Sequence, residues 1–229
     1  MIVTDQFVFL HLHKSGGTFI LKFLQEHELS ARMIGYHLPY AELPAGYRER
    51  PVLGSVRNPW SYYVSWYTFQ SGMDNPNPLF RVVSDNCRLD FNATITNLVT
   101  LADSQERLDS LGQVLPRQFQ PRGLNLTRNC IKPLYGSGTG FYTFLFNRMF
   151  DGCKDPHIVR MESMREEFVK VLPALGRNLT TSEAAFFSTE PATNTTEHAH
   201  FTEYYSDRLR DLVAEKDAAT IERFGYAFG

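Results

Sequence analysis

Short apolar runs alternate with longer amphipathic segments along this chain, a pattern that predicts strands alternating with helices. Residues 6–13 are apolar at consecutive positions and rich in β-formers, which is typical of a strand buried in a parallel sheet. Further strands are predicted at residues 33–37, 51–56 and 157–161. The pattern therefore predicts an α/β fold, a single domain over residues 1–229 with a central parallel sheet flanked by helices.

Helices are predicted where apolar residues recur at helical spacing. Thr18 is the expected cap of the first helix, and Asn58 followed by Pro59 is a strong start signal for the second, which should end near Gly72. The predicted helices cover residues 18–26, 59–72, 95–111, 141–150, 164–175 and 201–224. Two segments rich in turn-forming residues are predicted to be loops, residues 73–90 and 188–200.

The composition is that of a globular protein and narrows the functional classes. Hydrophobic residues make up 43% and charged residues 21%, and the formal net charge is −2. A charge this close to zero argues against a general nucleic-acid binder. No apolar run approaches the roughly 18 residues of a membrane span, and residues 1–13 lack the features of a signal peptide. We expect a cytoplasmic protein if Met1 is the native start, or a Golgi-lumen protein if an N-terminal anchor was removed.

Cysteines and glycosylation motifs do not change this picture. Three cysteines cannot form a complete disulfide framework, and without a C-x-x-C pair a structural zinc site is not expected. We interpret the four N-x-[ST] motifs as incidental in a chain rich in Asn and Thr; they begin at Asn92, Asn125, Asn178 and Asn194.

The turn after the first predicted strand has the composition of an anion-binding site. Gly16 and Gly17 let an anion approach the backbone N–H groups of the turn and of the following helix N-terminus. Lys14 adds a cation and Thr18 a hydroxyl. The lysine precedes the glycines, unlike in the triphosphate loop G-x-x-x-x-G-K-[ST], and the short loop suits a single 5′-phosphate. An ordinary turn with a surface lysine is the alternative.

A second phosphate site is predicted one strand further along the sheet. Arg57 ends the strand at residues 51–56, and Ser65 lies about two turns into the next helix. A guanidinium group binds phosphate with two parallel N–H groups, and a hydroxyl adds another donor. Ligands of open α/β sheets bind at the carboxyl ends of strands, so the two sites together fit a nucleotide with phosphates at both ribose ends. A helix start followed by a surface serine is the alternative.

Both motifs resemble those of sulfotransferases. His13-Lys-Ser-Gly-Gly-Thr18 is similar to their 5′-phosphosulfate loop, P-K-[ST]-G-[GT]-[ST], with His13 at the usual proline position. Arg57-Asn-Pro-Trp-Ser-Tyr-Tyr-Val-Ser65-Trp-Tyr resembles their 3′-phosphate motif, R-[ND]-P-x-x-x-x-x-S-x-Y. Val159-Arg-Met-Glu162 and the tail from Glu203 to Phe228 are similar to the carbohydrate branch, both Golgi-type and bacterial. The resemblance implies the P-loop-like sulfotransferase fold.

The resemblance also implies a reaction. The donor would be 3′-phosphoadenosine 5′-phosphosulfate (PAPS), the product 3′,5′-ADP, and the acceptor a hydroxyl, best matched by a saccharide. Lys14 would be catalytic because it stabilises charge on the leaving phosphate. No metal is required. The residues implied to bind the donor are Lys14, Ser15, Gly16, Gly17, Thr18, Arg57, Ser65 and Asn194, the last in a loop that closes over the nucleotide.

A general base is needed to accept the acceptor proton, and histidine has a pKa near working pH. His37 follows the second predicted strand, which would bring it to the same edge of the sheet as Lys14, as in carbohydrate sulfotransferases. His11 and His13 are the next candidates and share one strand face if side chains alternate. A turn-rich basic stretch predicts either a cleft for an anionic acceptor or a solvated loop: Arg117, Arg122, Arg128 and Lys132.

Two other functions stay open. An ATP-dependent small-molecule kinase predicts a lysine after the glycines and an acidic magnesium ligand at a strand end, and the sequence shows neither. A nucleotide- or glycan-binding module that has lost catalysis would keep both phosphate motifs. The sequence does not indicate the oligomeric state or the identity of the acceptor.

Overall fold

A computed structural model describes residues 1–120, 123–191 and 199–229. Among these residues, five strands form one sheet in the order β3-β1-β2-β4-β5. The strands are β1 (Ile2–Val3), β2 (Val8–Leu10), β3 (Arg32–Met33), β4 (Val52–Val56) and β5 (His157–Arg160).

The sheet is mixed. Strands β2, β4 and β5 run parallel, with Leu10 opposite Gly54 and Val56 opposite Arg160. Strand β1 pairs antiparallel with both β2 and β3. The prediction of a parallel sheet is confirmed for β2, β4 and β5. It is wrong for the other edge, because the two-residue strand β1 is too short to show a periodic pattern.

Helices occupy much of the rest of the described chain. The α-helices are α1 (Gly17–His27), α2 (Pro59–Ser71), α3 (Pro78–Val83), α4 (Phe91–Val99), α5 (Gln105–Val114), α6 (Phe141–Phe150), α7 (Met164–Val171), α8 (Thr181–Thr189), α9 (Asp207–Lys216) and α10 (Ala218–Phe224). Short 3₁₀ helices cover Tyr40–Glu42, Ala45–Tyr47, Leu101–Asp103, Lys132–Leu134, Met161–Ser163, Leu172–Leu175 and Phe201–Tyr204. None of the helices in the described ranges is both long and apolar enough to span a membrane.

The start signal at Asn58 and Pro59 is confirmed, since the Asn58 side chain accepts hydrogen bonds from the first backbone N–H groups of α2. The loop prediction for residues 73–90 is wrong at Pro78–Val83, which form α3 because Asn77 caps that helix in the same way before Pro78. The single helix predicted at residues 95–111 is also wrong. It is two helices, α4 and α5, and Ser104 caps the second.

Two further boundaries differ from the sequence prediction. Strand β3 ends at Met33, so the prediction of a strand at residues 33–37 is wrong beyond its first residue. Helix α8 enters the predicted loop at residues 188–200 and was not foreseen, although Thr180 and Glu183 form a capping box at its start.

The described chain divides into two compact units. The first consists of residues 1–57, 123–124 and 148–191, and the second of residues 58–120, 125–147 and 199–229. The prediction of a single domain over residues 1–229 stays a prediction. The first unit holds the whole sheet, and apolar side chains of β2, β4 and β5 pack against those of α1, α7 and α8 in one core; among them are Phe9, Leu53, Val159, Phe23, Phe168 and Phe187.

The second unit is built around α2, which is buried on most of its circumference: Tyr62, Tyr63 and Trp66 have no exposed surface. The Tyr63 hydroxyl donates a 2.7 Å hydrogen bond to the buried carboxylate of Asp217. The other Asp217 oxygen accepts from the Thr143 backbone N–H at 2.8 Å, and the Tyr63 oxygen accepts from the Tyr142 N–H at 3.0 Å. Tyr63 from α2 and Asp217 from the start of α10 therefore cap the N-terminus of α6.

Replacing Asp217 should test this cap. Asp217→Ala leaves the Thr143 N–H and the Tyr63 hydroxyl buried without their acceptor, so we expect a loss of about 3 kcal/mol in the free energy of unfolding, measured by urea titration. Asp211→Ala on the exposed side of α9 is the matched control and should leave the unfolding midpoint unchanged. Equal losses in the two variants would contradict the capping role.

Candidate active site

The turn between β2 and α1 has the conformation expected of an anion-binding loop. Gly16 is the N-cap of α1 in the left-handed region, with φ of 77°, and Lys14 is also left-handed, with φ of 56°. The prediction that Thr18 caps the helix is wrong, because Thr18 lies inside the first turn. The first turn of α1 contains no acidic residue, so its N–H groups keep their attraction for an anion.

Side chains beneath the loop hold both glycines in place. A Cβ on Gly16 would lie 2.6 Å from Cε of Met164, and a Cβ on Gly17 would lie 2.0 Å from Cδ2 of His11. A side chain at Gly17 would therefore collide with the His11 ring, and one at Gly16 would be strained by the left-handed backbone and would have to displace the end of Met164. The sequence indicated the glycines, but it did not show that His11 and the methionine pair Met161 and Met164 form the floor of the loop.

Arg57 meets the loop from the end of β4. Its side chain is 8% exposed, and Nη1 donates a 3.2 Å hydrogen bond to the Lys14 carbonyl oxygen. The structure therefore brings together the two predicted phosphate ligands of the first unit. Burial, together with the neighbouring Arg57 charge, lowers the pKa of the half-buried Lys14 amine to about 8.

His37 lies near the same loop, although not for the reason predicted. It does not end a strand, since β3 stops at Met33; it sits in a turn with φ of 52°. Its Nδ1 lies 2.8 Å from the carbonyl oxygen of His11. A carbonyl can only accept, so Nδ1 carries the hydrogen and Nε2 carries the lone pair. This tautomer leaves Nε2 able to accept a proton.

Three imidazole rings gather at this point. The centroid of the His37 ring is 4.5 Å from that of His11 and 5.0 Å from that of His13. Burial lowers the pKa of His37 to about 4, and it lowers the pKa of His11 and His13 well below the usual value, with a further contribution from His37. All three rings are neutral at neutral pH. The described residues contain no group of three or more His, Cys, Asp or Glu side chains placed to hold a metal ion.

The remaining predicted ligands differ in their surroundings. Ser15 is buried, and its hydroxyl donates to the His13 carbonyl oxygen at 3.3 Å. Ser65 is buried on α2 in the second unit, 5% exposed. Asn194 lies outside the described residues, as does Arg122 of the basic stretch. Both assignments to the donor site, Ser65 and Asn194, stay predictions.

At two of the four glycosylation motifs, the surroundings of the asparagine side chain support the interpretation that the motif is incidental. The Asn92 amide donates to the Tyr204 carbonyl oxygen at 3.1 Å and accepts from Ser206. Asn125 is 6% exposed and accepts from the Gln120 N–H at 2.8 Å. A glycan on the Asn92 amide nitrogen would displace its hydrogen bond to Tyr204, and the burial of Asn125 leaves little room for a glycan on its side chain.

Comparison with known proteins supports the fold class by structure and not by sequence. No protein-family model matches the chain, and no curated protein matches it by sequence. A solved structure is similar, the crystal structure of mouse sulfotransferase SULT7A1 complexed with PAP, with a TM-score of 0.50 and 15% sequence identity. The likeness covers 96% of this chain and 88% of that one. The chain thus has the α/β fold of that sulfotransferase, which confirms the predicted fold class.

Proposed function

We propose that this protein is a sulfotransferase that moves the sulfuryl group of PAPS to a hydroxyl of a saccharide. The observation that carries the proposal is the contact between the Arg57 guanidinium and the Lys14 carbonyl at the N-terminus of α1. It places the Arg57 guanidinium against the backbone of the loop, beside a helix end that attracts anions. The Arg57 charge also acts on the Lys14 amine, and a bound anion would stabilise both cations. The similar sulfotransferase structure, which contains PAP, supports this choice of nucleotide.

The donor set of the first unit fits a nucleotide with two phosphate ends. The loop offers backbone N–H groups and the Lys14 amine, and Arg57 offers a guanidinium fork; each is a donor to an anion. When bound, PAPS supplies an activated sulfuryl group. Lys14 and the loop N–H groups would hold the 5′-phosphate and stabilise the charge that grows on it, and Arg57 would hold the 3′-phosphate.

His37 is proposed as the general base. Its Nδ1–H is held by the His11 carbonyl, so the Nε2 lone pair is oriented by the backbone. It would accept the proton of the acceptor hydroxyl as the new sulfur–oxygen bond forms and the bond to the 5′-phosphate breaks, leaving 3′,5′-ADP. Burial lowers the pKa of His37 to about 4, so the expectation of a pKa near working pH is wrong. His37 is unprotonated throughout the neutral range, as a base must be, but it is a weaker base than an ordinary histidine.

Two ligands and the acceptor class complete the proposal. Ser65 is assigned to the 3′-phosphate and Asn194 to the loop over the nucleotide, both from their motif positions. A saccharide acceptor is proposed because Val159-Arg-Met-Glu162 and the C-terminal tail resemble the carbohydrate branch.

Nucleotide binding can be measured by thermal shift. At 100 times the Kd, 3′,5′-ADP should stabilise the protein by about 2.7 kcal/mol, or roughly 5–10 °C, because only the folded state offers the two phosphate sites. AMP, which lacks the 3′-phosphate, should give little shift. Arg57→Ala should remove the shift by 3′,5′-ADP, and Ser65→Ala should reduce it.

ATP serves as the control for the kinase alternative. A shift with ATP as large as that with 3′,5′-ADP would contradict the proposal and favour a kinase. The matched protein control is Arg88→Ala, an exposed arginine of the second unit paired with Asp85, which should respond to 3′,5′-ADP as the wild type does.

Lys14 should set the alkaline limit of activity. Its charged form is needed, and its pKa is lowered to about 8, so kcat/KM for PAPS should fall as pH rises through about 8. Lys14→Arg keeps the charge at all these pH values, so its profile should stay flat there, at a lower rate. A wild-type decline that persists unchanged in Lys14→Arg would assign the limit to another group.

Removing the base should separate catalysis from binding. His37→Ala should lower the rate of sulfate transfer from labelled PAPS by about 10²–10⁴-fold, while 3′,5′-ADP still raises the melting temperature. His13→Ala, which leaves the His37–His11 hydrogen bond in place, is the comparison variant. Wild-type turnover in His37→Ala would exclude His37 as the base, and retained binding without turnover in the wild type would indicate an inactive binding module.

A further inference from the structure

The second unit carries an unusual distribution of charge. Its residues 110–120 and 125–147 contain three arginines and lysines and no aspartate or glutamate, although acidic residues outnumber basic ones in the whole chain, 25 to 23. Arg117, Arg128 and Lys132 of this segment are all exposed. Within the described part of the chain, none of these three forms an ion pair.

Backbone contacts bring two of these cations together. The Arg128 N–H donates to the Pro116 carbonyl oxygen at 3.0 Å, which places Arg128 beside the residue preceding Arg117. The Arg128 side chain donates to the carbonyl oxygens of Leu115 at 2.8 Å and Gln113 at 3.0 Å, at the C-terminal end of α5. The guanidinium is therefore held in a fixed orientation and retains further N–H donors.

A tight turn fixes the third cation relative to Arg128. The Thr127 N–H donates to Sγ of Cys130 at 2.9 Å, and the Cys130 N–H donates to Oγ1 of Thr127 at 3.2 Å. Lys132 begins a 3₁₀ helix two residues later. The exposed ring of Tyr135, 55% accessible, follows directly after this helix. We call Arg117, Arg128, Lys132 and Tyr135 the basic patch.

We infer that the basic patch binds an anionic saccharide chain, through carboxylate or sulfate groups on the three cations and a sugar ring on Tyr135. Guanidinium forks match the geometry of both groups, and an exposed aromatic ring offers an apolar face to a sugar. A single-stranded nucleic acid needs a series of aromatic platforms, and the patch has one. The inference concerns the second unit alone and does not rest on the proposed transferase activity.

Fluorescence anisotropy with labelled dextran sulfate tests the inference directly. The wild type should bind dextran sulfate, should not bind uncharged dextran of the same length, and should bind more weakly as salt is added. Arg117→Gln/Lys132→Gln should weaken binding about tenfold, since each exposed charge pair contributes a few-fold. Adding Tyr135→Ala to this double variant should weaken dextran sulfate binding further, although the charge stays the same.

The matched control removes the same charge elsewhere. Arg48 and Arg88 are exposed arginines in segments that also contain acidic residues, and the Arg48 side chain, like that of Arg128, donates to backbone carbonyls. Arg48→Gln/Arg88→Gln should bind dextran sulfate as the wild type does. An equal loss in both double variants would show that net charge, not the basic patch, drives binding, and would overturn the inference.

The other outcomes also decide. No binding of dextran sulfate by the wild type, or equal or tighter binding of a single-stranded oligonucleotide or of anionic lipid vesicles, would overturn the assignment to a saccharide. The 3′,5′-ADP thermal shift of Arg117→Gln/Lys132→Gln should equal that of the wild type. If the wild type shows the 3′,5′-ADP thermal shift but does not bind dextran sulfate, this inference fails and the proposed function stands. If it binds dextran sulfate but shows no shift with 3′,5′-ADP, the proposed function fails and this inference stands.

Discussion

The parallel pairing of β2 with β4 is the constraint on which the candidate site depends. With Leu10 opposite Gly54, the chain leaves both strands at the same edge of the sheet. Arg57 follows one strand and the Lys14 turn follows the other, and their hydrogen bond joins positions 43 residues apart. A shift in this register would separate the guanidinium from the loop without changing either segment locally.

The first unit accumulates positive charge and buried imidazole around one turn. Burial and, to a smaller extent, the Arg57 charge lower the pKa of Lys14, and burial lowers the pKa of His37 and of its two histidine neighbours. Each effect disfavours additional positive charge, and an anion relieves the repulsion between Lys14 and Arg57. Lys14 and His37, both at this turn, have left-handed backbone conformations. Strained backbone of this kind is often found at functional sites.

In the second unit, a buried carboxylate, that of Asp217, stabilises the N-terminus of α6. Helix α6 begins after Gly140, which has no side chain to cap it. Tyr63 of α2 and Asp217, just before α10, supply the missing acceptors. Burial raises the pKa of Asp217, while its hydrogen bonds oppose that rise. The same unit exposes three cations, Arg117, Arg128 and Lys132, in a segment without acidic residues.

The sequence by itself determined the local features, because caps, glycine turns and periodicity act over a few residues. Strand β4, the start of α2 at Asn58, and the glycine turn after Lys14 could all be predicted, and Asn77 before Pro78 is a signal for α3 that the sequence prediction did not use. Only the tertiary structure decided which distant groups meet. It joined Arg57 to Lys14, placed His37 against His11 and His13, and paired Tyr63 with Asp217, 154 residues away. Such contacts depend on strand register and core packing, which no local pattern specifies.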